Sequence, residues 1–374
     1  MAQSTRVIVA LSGGVDSAVA AALLLDAGYD VQCLHMSNWE DDDGYCEAAR
    51  DFQDARSVCD LLRVPLHRVS FATEYRNRVF EHFLSECRAG RTPNPDVLCN
   101  REIKFGTLAH YARRLGAEHL ATGHYARLAR RGGENRLLKA RDASKDQSYF
   151  LHAVAGADFE RVIFPLGDKT KTEVRALAQA NHLPVADKKD STGICFIGER
   201  PFAEFLSRYL PIEPGPIKTP EGRRLGSHRG LAYYTLGQRR GLGIGGVSGS
   251  DDVPWYVAAK LPAHNELIVV QGHDHPLMLH NRVYASLPHW INATPAEWRQ
   301  RRPFRCAAKT RYRQADQPCT IFPVGHALEV HFDVPQRAVT PGQYVVFYEG
   351  DRCLGGATIE RAEYEEPRAA VQGL

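Results

Sequence analysis

The chain has 374 residues, 44% hydrophobic and 24% charged, with a formal net charge of +3. That balance is ordinary for a globular protein and excludes a long disordered stretch, while the charge is too small to argue nucleic-acid binding by itself. No apolar run approaches the ~20 residues that cross a bilayer, and a chain of this length is expected to form two or three domains.

Residues 7–11 are a buried-strand run, with no charged n-region, apolar segment or Arg-rich transit peptide ahead of it. Nine cysteines without a CxxC pair then predict a cytoplasmic protein with reduced thiols. Residues 15–27 are Ala/Leu-rich and helical, and Gly28 suits the C-terminal cap. A second strand over 31–36 leads into an acidic loop, 40–44. A helix over 47–62 follows, with Pro65 beyond its end, then a short strand over 66–69. Ile103, Phe105, Leu108 and Leu115 predict a helix over 101–115. Residues 120–124 are a strand ending in a glycine turn. Thr170-Lys171-Thr172-Glu173 matches a capping box that opens a helix through Ala180. This alternation predicts an α/β doubly wound parallel sheet.

One more helix is expected over 202–209, and Pro211, Pro214, Gly215 and Pro216 then mark a boundary. Short alternating runs such as 267–270 and 328–332 predict a small β-rich linking domain followed by a C-terminal β-barrel. The expected domains are 1–205, 206–277 and 278–374, with a polar tail fraying from Arg361. Two basic runs contain no acid. One holds Arg299, Arg301, Arg302, Arg305, Lys309, Arg311 and Arg313; the other holds Arg223, Arg224, Arg229, Arg239 and Arg240. Such runs are solvated faces or nucleic-acid footprints.

Ser12-Gly13-Gly14-Val15-Asp16-Ser17 joins the first strand, ending at Ala10 and Leu11, to the first helix. Its glycines permit close approach and positive φ, and the first-turn N–H groups point at an anion. The loop lacks the Gly-Lys-[Ser/Thr] of a Walker A and is not GxGxxG. Asp16 has the wrong sign for a phosphate, so it is expected to face Mg²⁺ or orient a donor. Met36, at the end of the second strand, and Gly123, in Thr122-Gly123-His124-Tyr125, are expected to complete an adenine-nucleotide site.

Cys99 lies in Asn94-Pro95-Asp96-Val97-Leu98-Cys99-Asn100, and Cys195 in Asp190-Ser191-Thr192-Gly193-Ile194-Cys195-Phe196-Ile197-Gly198. Helix N-termini and nearby cations favour thiolates, and Arg101 and Lys104 stand near Cys99 as Lys188 and Lys189 do near Cys195. The prolines hold Asp96 in fixed relation to Cys99, where it is a candidate general acid or base. Cys33, Cys59, Cys87, Cys306, Cys319 and Cys353 read as small buried hydrophobes.

These motifs, with Lys145-Asp146-Gln147-Ser148-Tyr149 and Tyr234-Thr235-Leu236-Gly237-Gln238-Arg239-Arg240-Gly241, resemble the tRNA-specific 2-thiouridylases of the MnmA/TrmU type over nearly the whole chain. The resemblance implies that ATP, with Mg²⁺, adenylates the C2 oxygen of a wobble uridine. It implies that Cys195 carries persulfide sulfur from a donor protein, and that Cys99 assists release through a transient disulfide, with Asp96 as acid/base. It implies tRNA contacts at Asn94, Pro95, Asp96, Lys145, Asp146 and Gln147, and at Arg311 and Tyr312 of the barrel. No metal ligands and no membrane contact are expected, and the chain is expected to act as a monomer. An amidating synthetase sharing the first loop would not need the paired thiols. A non-catalytic RNA binder would not consume ATP, and nine cysteines without CxxC argue against an iron–sulfur thiouridylase.

Overall fold

The computed structural model describes residues 4–39, 47–190, 202–244, 253–325 and 327–365. Four strands, β1 (Arg6–Ala10), β2 (Asp30–Ser37), β3 (Leu66–Ser70) and β4 (His119–Thr122), run parallel in the spatial order β3-β2-β1-β4, with Val162–Ile163 beyond β4. Successive side chains of β1 serve opposite faces. Val7 and Val9 pack with Val19 of α1 (Val15–Asp26), Val58 of α2 (Glu47–Leu62) and Val174 of the helix Lys171–Ala180. Ile8 and Leu34 pack with Phe80, Phe83 and Ile103 on the other side. Fully burying each of these chains contributes ~1.5–3 kcal/mol. The chain moves outward from β1 to β3, then returns to place β4 on the other side of β1. The order therefore reverses between β1 and β4, where doubly wound sheets open a ligand crevice.

The expected helix over 101–115 begins earlier. Asn94 caps it by accepting the Asp96 N–H at 3.2 Å, and Pro95 supplies the first-turn φ. Residues Pro95–Leu98 run through a wider-wound stretch, Cys99–Leu108, into Ala109–Arg114. A helical segment from Ala72 to Arg88 was not legible in the apolar spacing. Nor was the hairpin Ala126–Arg131 with Glu134–Lys139, which turns at Gly132 and Gly133, φ +61° and +79°.

The middle segment forms a four-stranded sheet from Gly215–Lys218, Arg224–His228, Trp255–Leu261 and Glu266–Gln271 over Ile217, Tyr234, Val257 and Leu267. Beyond it, six strands close a barrel, because Leu279–Ala285 pairs with both Ala327–Arg337 and Arg352–Glu363. Arg361 is therefore not the start of a frayed tail: it pairs with Tyr284, and the strand continues to Glu363. The 126–139 hairpin also reaches the barrel sheet through Leu138 and Arg352. No helix among the described residues is long and apolar enough to cross a membrane.

Candidate functional site

The loop after β1 is shaped by close backbone approach. Gly13 has φ +83°, and a Cβ there would stand 2.3 Å from the Asp51 carbonyl oxygen. Ser17 Oγ donates to the Gly14 carbonyl at 3.1 Å and accepts the Ser12 N–H at 3.2 Å, which ties the loop to the helix it opens. The first intrahelical bond runs from Ala18 N–H to Gly14 O, so the N–H groups of Val15, Asp16 and Ser17 have no acceptor within α1. A backbone cradle of this kind fits the phosphates of a nucleotide. Gly123 is required for a different contact: a Cβ would meet the Ser17 backbone nitrogen at 2.8 Å. Its lack of a side chain lets the end of β4 seat against the start of α1.

Asp16 accepts the Tyr125 hydroxyl at 2.8 Å and the Lys171 ammonium at 2.7 and 2.9 Å. Both carboxylate oxygens thus carry an ammonium. This arrangement fits the orienting of a donor and does not fit a divalent cation, so no step is derived through Mg²⁺. Lys171 also reaches Asp190 at 2.7 Å, which binds Lys145 at 2.8 Å and Arg175 at 2.7 Å. Burial works against the charge on Asp190, but the bonds from Lys145 and Lys171 outweigh it and hold its pKa at about 2. Lys188 donates to the Gly13 carbonyl at 3.1 Å and to Asp51 and Asp54 at 2.7 and 2.5 Å. Burial opposes its charge as well, and the two carboxylates raise its pKa overall. Lys171, Arg175 and Asp190 were not singled out as site residues. Lys171 sits inside the predicted capping box, which forms as expected, and that box was the available signal.

His124 is buried, 2.7 Å from Thr122 Oγ1 and 3.5 Å from Lys104 Nζ. Burial first, and the Lys104 charge second, push its pKa well down, so it is a neutral structural histidine. His35, one residue before Met36, turns its ring to the Leu11 carbonyl at 2.9 Å and pins β2 to the phosphate-type loop.

Cys99 is 0% exposed, at the first turn after the capped Pro95–Leu98 segment. Asn38, two residues beyond Met36, extends its amide nitrogen to 3.9 Å from the Cys99 sulfur. The thiol therefore lies at the end of β2, the neighbour of β1 and its loop. Asn100 is 3% exposed and donates to the Phe150 carbonyl at 3.2 Å; the Phe150 ring stands 4.4 Å from that of Tyr312 in the barrel. Tyr312 in turn donates to the Lys145 carbonyl at 3.4 Å. Cys99, Lys145 and Tyr312 are thus brought to one locale from distant parts of the chain. The segment leading into Asn94 is clamped from outside. Thr92 N–H donates to Pro341 O at 2.9 Å, and Lys260 donates to Gly90 O and Thr92 Oγ1, each at 3.2 Å.

Two expected tRNA contacts look inward. Asp146 is 4% exposed, and its carboxylate accepts from Ala140 N–H, Ser148 N–H and Ser148 Oγ at 2.9–3.1 Å. Gln147 accepts the Tyr125 N–H at 2.9 Å. These bonds fold the 145–147 turn, while Lys145 is half-buried with its ammonium on Asp190. The barrel's basic run also divides. Lys309 is buried against Asp146 and Asp316, and Arg305 pairs with Asp333 at 2.6 Å, whereas Arg299, Arg301, Arg302 and Arg313 are exposed. Arg311 is half-buried and donates to Ala338 O at 2.7 Å. Among the other cysteines, Cys33, Cys59, Cys87, Cys319 and Cys353 are buried as expected, and Cys306 is half-buried 3.7 Å from Cys319. Cys195 and its motif from Ser191 onward lie outside the described residues. Among the described residues no group of His, Cys, Asp or Glu is placed to hold a metal ion.

Residues 5–199 match the family described as the tRNA methyl transferase HUP domain, 203–271 the corresponding PRC-barrel domain, and 280–359 an aminomethyltransferase β-barrel domain. The chain is similar to the tRNA-specific 2-thiouridylase MnmA of Pseudomonas fluorescens, 55% identical over 363 residues that cover 96% of this chain and 95% of that one. It is 56% identical over 360 residues to MnmA of Pseudomonas aeruginosa, with the same coverage.

Proposed function

This chain belongs to the tRNA-specific 2-thiouridylase family, and we propose that it consumes ATP to replace the C2 oxygen of a wobble uridine in tRNA with sulfur. What supports this reading is that the Ser12–Ser17 loop and the Asn38 contact with the Cys99 thiol follow the adjacent strands β1 and β2. Ala10 and Leu11 lead into the cradle, Met36 lines the neighbouring strand end, and Gly123 closes the crevice from β4.

In this reading the uridine oxygen attacks the α-phosphate of ATP, forming an adenylated base and releasing pyrophosphate. The adenylate makes C2 a good electrophile and AMP a good leaving group. The terminal sulfur of a Cys195 persulfide, loaded by a sulfur-donor protein, attacks C2 and expels AMP. The product is a disulfide between C2-sulfur and Cys195. The Cys99 thiolate then attacks the Cys195 sulfur, forming a Cys99–Cys195 disulfide and freeing 2-thiouridine; a thiol reductant resets the pair. Asp96, on the capped turn before Cys99, is the acid/base group. Lys171, Lys188 and the α1 N–H groups stabilise the phosphoryl charge. The base leaves its stack to reach this crevice, while Asn94, Pro95, Lys145, Arg311, Tyr312 and the exposed arginines hold the anticodon arm.

Mass spectrometry of tRNA nucleosides after reaction with ATP and a sulfur source tests the reading. We expect 2-thiouridine with the native chain, none with Cys195→Ser, and none with Cys99→Ser in a single turnover without added thiol. A methylated nucleoside would favour the methyl transfer named in the family description instead.

A further inference from the structure

Beside Cys99 the structure keeps a carboxamide that the reaction sequence above does not use. Asn38 Nδ2 lies 3.9 Å from the Cys99 sulfur, a separation suited to a weak N–H···S bond. Asn38 Oδ1 is buried and has no hydrogen-bond partner among the described residues. A buried acceptor without a partner costs stability, and such groups call for an explanation outside folding.

The residue is also held rigidly. Ser37 O accepts the Phe71 N–H at 2.8 Å on one side. On the other, Ser37 Oγ donates to Trp39 O at 3.1 Å, and the Trp39 ring packs 4.8 Å from Phe80, 5.9 Å from Phe205 and 6.2 Å from Tyr209. The Cys99 backbone is held separately, in the helical segment that Asn94 caps and next to Asn100, whose side chain donates to Phe150 O. Two separately anchored groups therefore meet, which is how a positioning contact is built.

We propose that Asn38 is a positioning residue for Cys99, aiming its sulfur and favouring the attacking thiolate by donating an amide N–H to it. The inference rests on the reading of Cys99 as the thiol that releases the product. A carboxamide suits this duty at both stages. Its oxygen can accept from an S–H and its nitrogen can donate to S⁻, so a half-turn of the amide follows the proton. Hydrogen bonds to a charged acceptor are the stronger kind, so the donor stabilises thiolate more than thiol.

The test is single-turnover reaction of tRNA and ATP with persulfide-loaded enzyme, following AMP, free thiolated tRNA and a reducible tRNA–protein adduct. Asn38→Leu and Asn38→Asp, which keep the size and lose the donor, are expected to form AMP at the native rate. Their release of thiolated tRNA should slow about 10–100-fold, the usual effect of losing a hydrogen bond to a charged group. The adduct through Cys195 should accumulate, and added dithiothreitol, which substitutes for Cys99, should discharge it. Native-rate release in both variants overturns the proposal. So does a matching loss of AMP formation, which would make Asn38 a folding or nucleotide-site residue. Cys99→Ser is the separate control: if it accumulates no adduct while still forming AMP, the reading of Cys99 itself falls.

Discussion

The ammonium of Lys145 lies 2.8 Å from a carboxylate oxygen of Asp190. One partner belongs to a candidate tRNA-contacting turn, and the other is the first residue of the Cys195 motif, the one residue of it that is described. The same carboxylate takes Lys171 and Arg175, so three cations share one acid. Lys145 must leave this acid to neutralise a phosphate. Asp190→Asn is therefore expected to tighten tRNA binding several-fold at moderate salt and to steepen the log–log salt dependence by about one. Filter binding across a salt series measures both; an unchanged slope would mean that Lys145 stays off the tRNA.

Arg311 holds Ala338 O at 2.7 Å, and a Cβ on Gly237 would sit 3.2 Å from the same guanidinium. Burial, and then the charge of Arg337, lower its pKa, so the site sits within a positive field that a phosphate would relieve. Arg311→Ala should lower the melting temperature by about 1–2 °C, the effect of ~1 kcal/mol on a chain of this size. It should also weaken tRNA binding and reduce the salt slope by about one. A lower melting temperature with an intact slope would restrict Arg311 to docking the middle segment.

Gly13→Ala forces a Cβ to 2.3 Å from the Asp51 carbonyl at φ +83°, so both space and backbone oppose it. Gly123→Ala brings a Cβ to 2.8 Å from Ser17 N at an ordinary φ. We expect Gly13→Ala to cost on the order of 2–4 kcal/mol. Gly123→Ala should chiefly push the α1 N-terminus aside and weaken ATP binding, read by calorimetric titration. Equal ATP affinity in native and Gly123→Ala protein would exclude that coupling.

Lys260 is largely buried between the middle segment and residues 90–92, near Cys87. Burial lowers its pKa to about 8, against a smaller opposing effect of Cys87. The unfolded chain binds the proton up to about pH 10.4. Between those values the unfolded state holds more protons, so Lys260 makes stability rise with pH. Below pH 8 the cost of burying its charge is fully present. Relative to Lys260→Met, the native chain should gain ~2–3 kcal/mol between pH 7 and 10.5, measured by urea denaturation. A flat difference would show that the ammonium is not desolvated.

Local chemistry was legible in the residues alone. The capping box at Thr170 forms as spaced, with Thr170 Oγ1 accepting Glu173 N–H at 3.2 Å. The glycine turn after β1 and the alternation of strands and helices also follow from near neighbours, because backbone sterics and helix-end hydrogen bonds act within a few residues. The apolar spacing starts the helix at Arg101 and not at Pro95, because a proline can break a helix as well as open one, and Asn94's bond to Asp96 N–H marks the true start. What the sequence could not settle is which distant side chains meet. Asp146 turns into the fold, Arg361 joins a closed barrel, and Asn38 reaches a thiol 61 positions away because burial and strand register select partners across the chain. The motifs by themselves carried the family resemblance. That the Ser12–Ser17 loop, Gly123 and the Asn38 contact with Cys99 follow neighbouring strands depends on a strand order that reverses beside β1, with helical layers packed on both faces of the sheet.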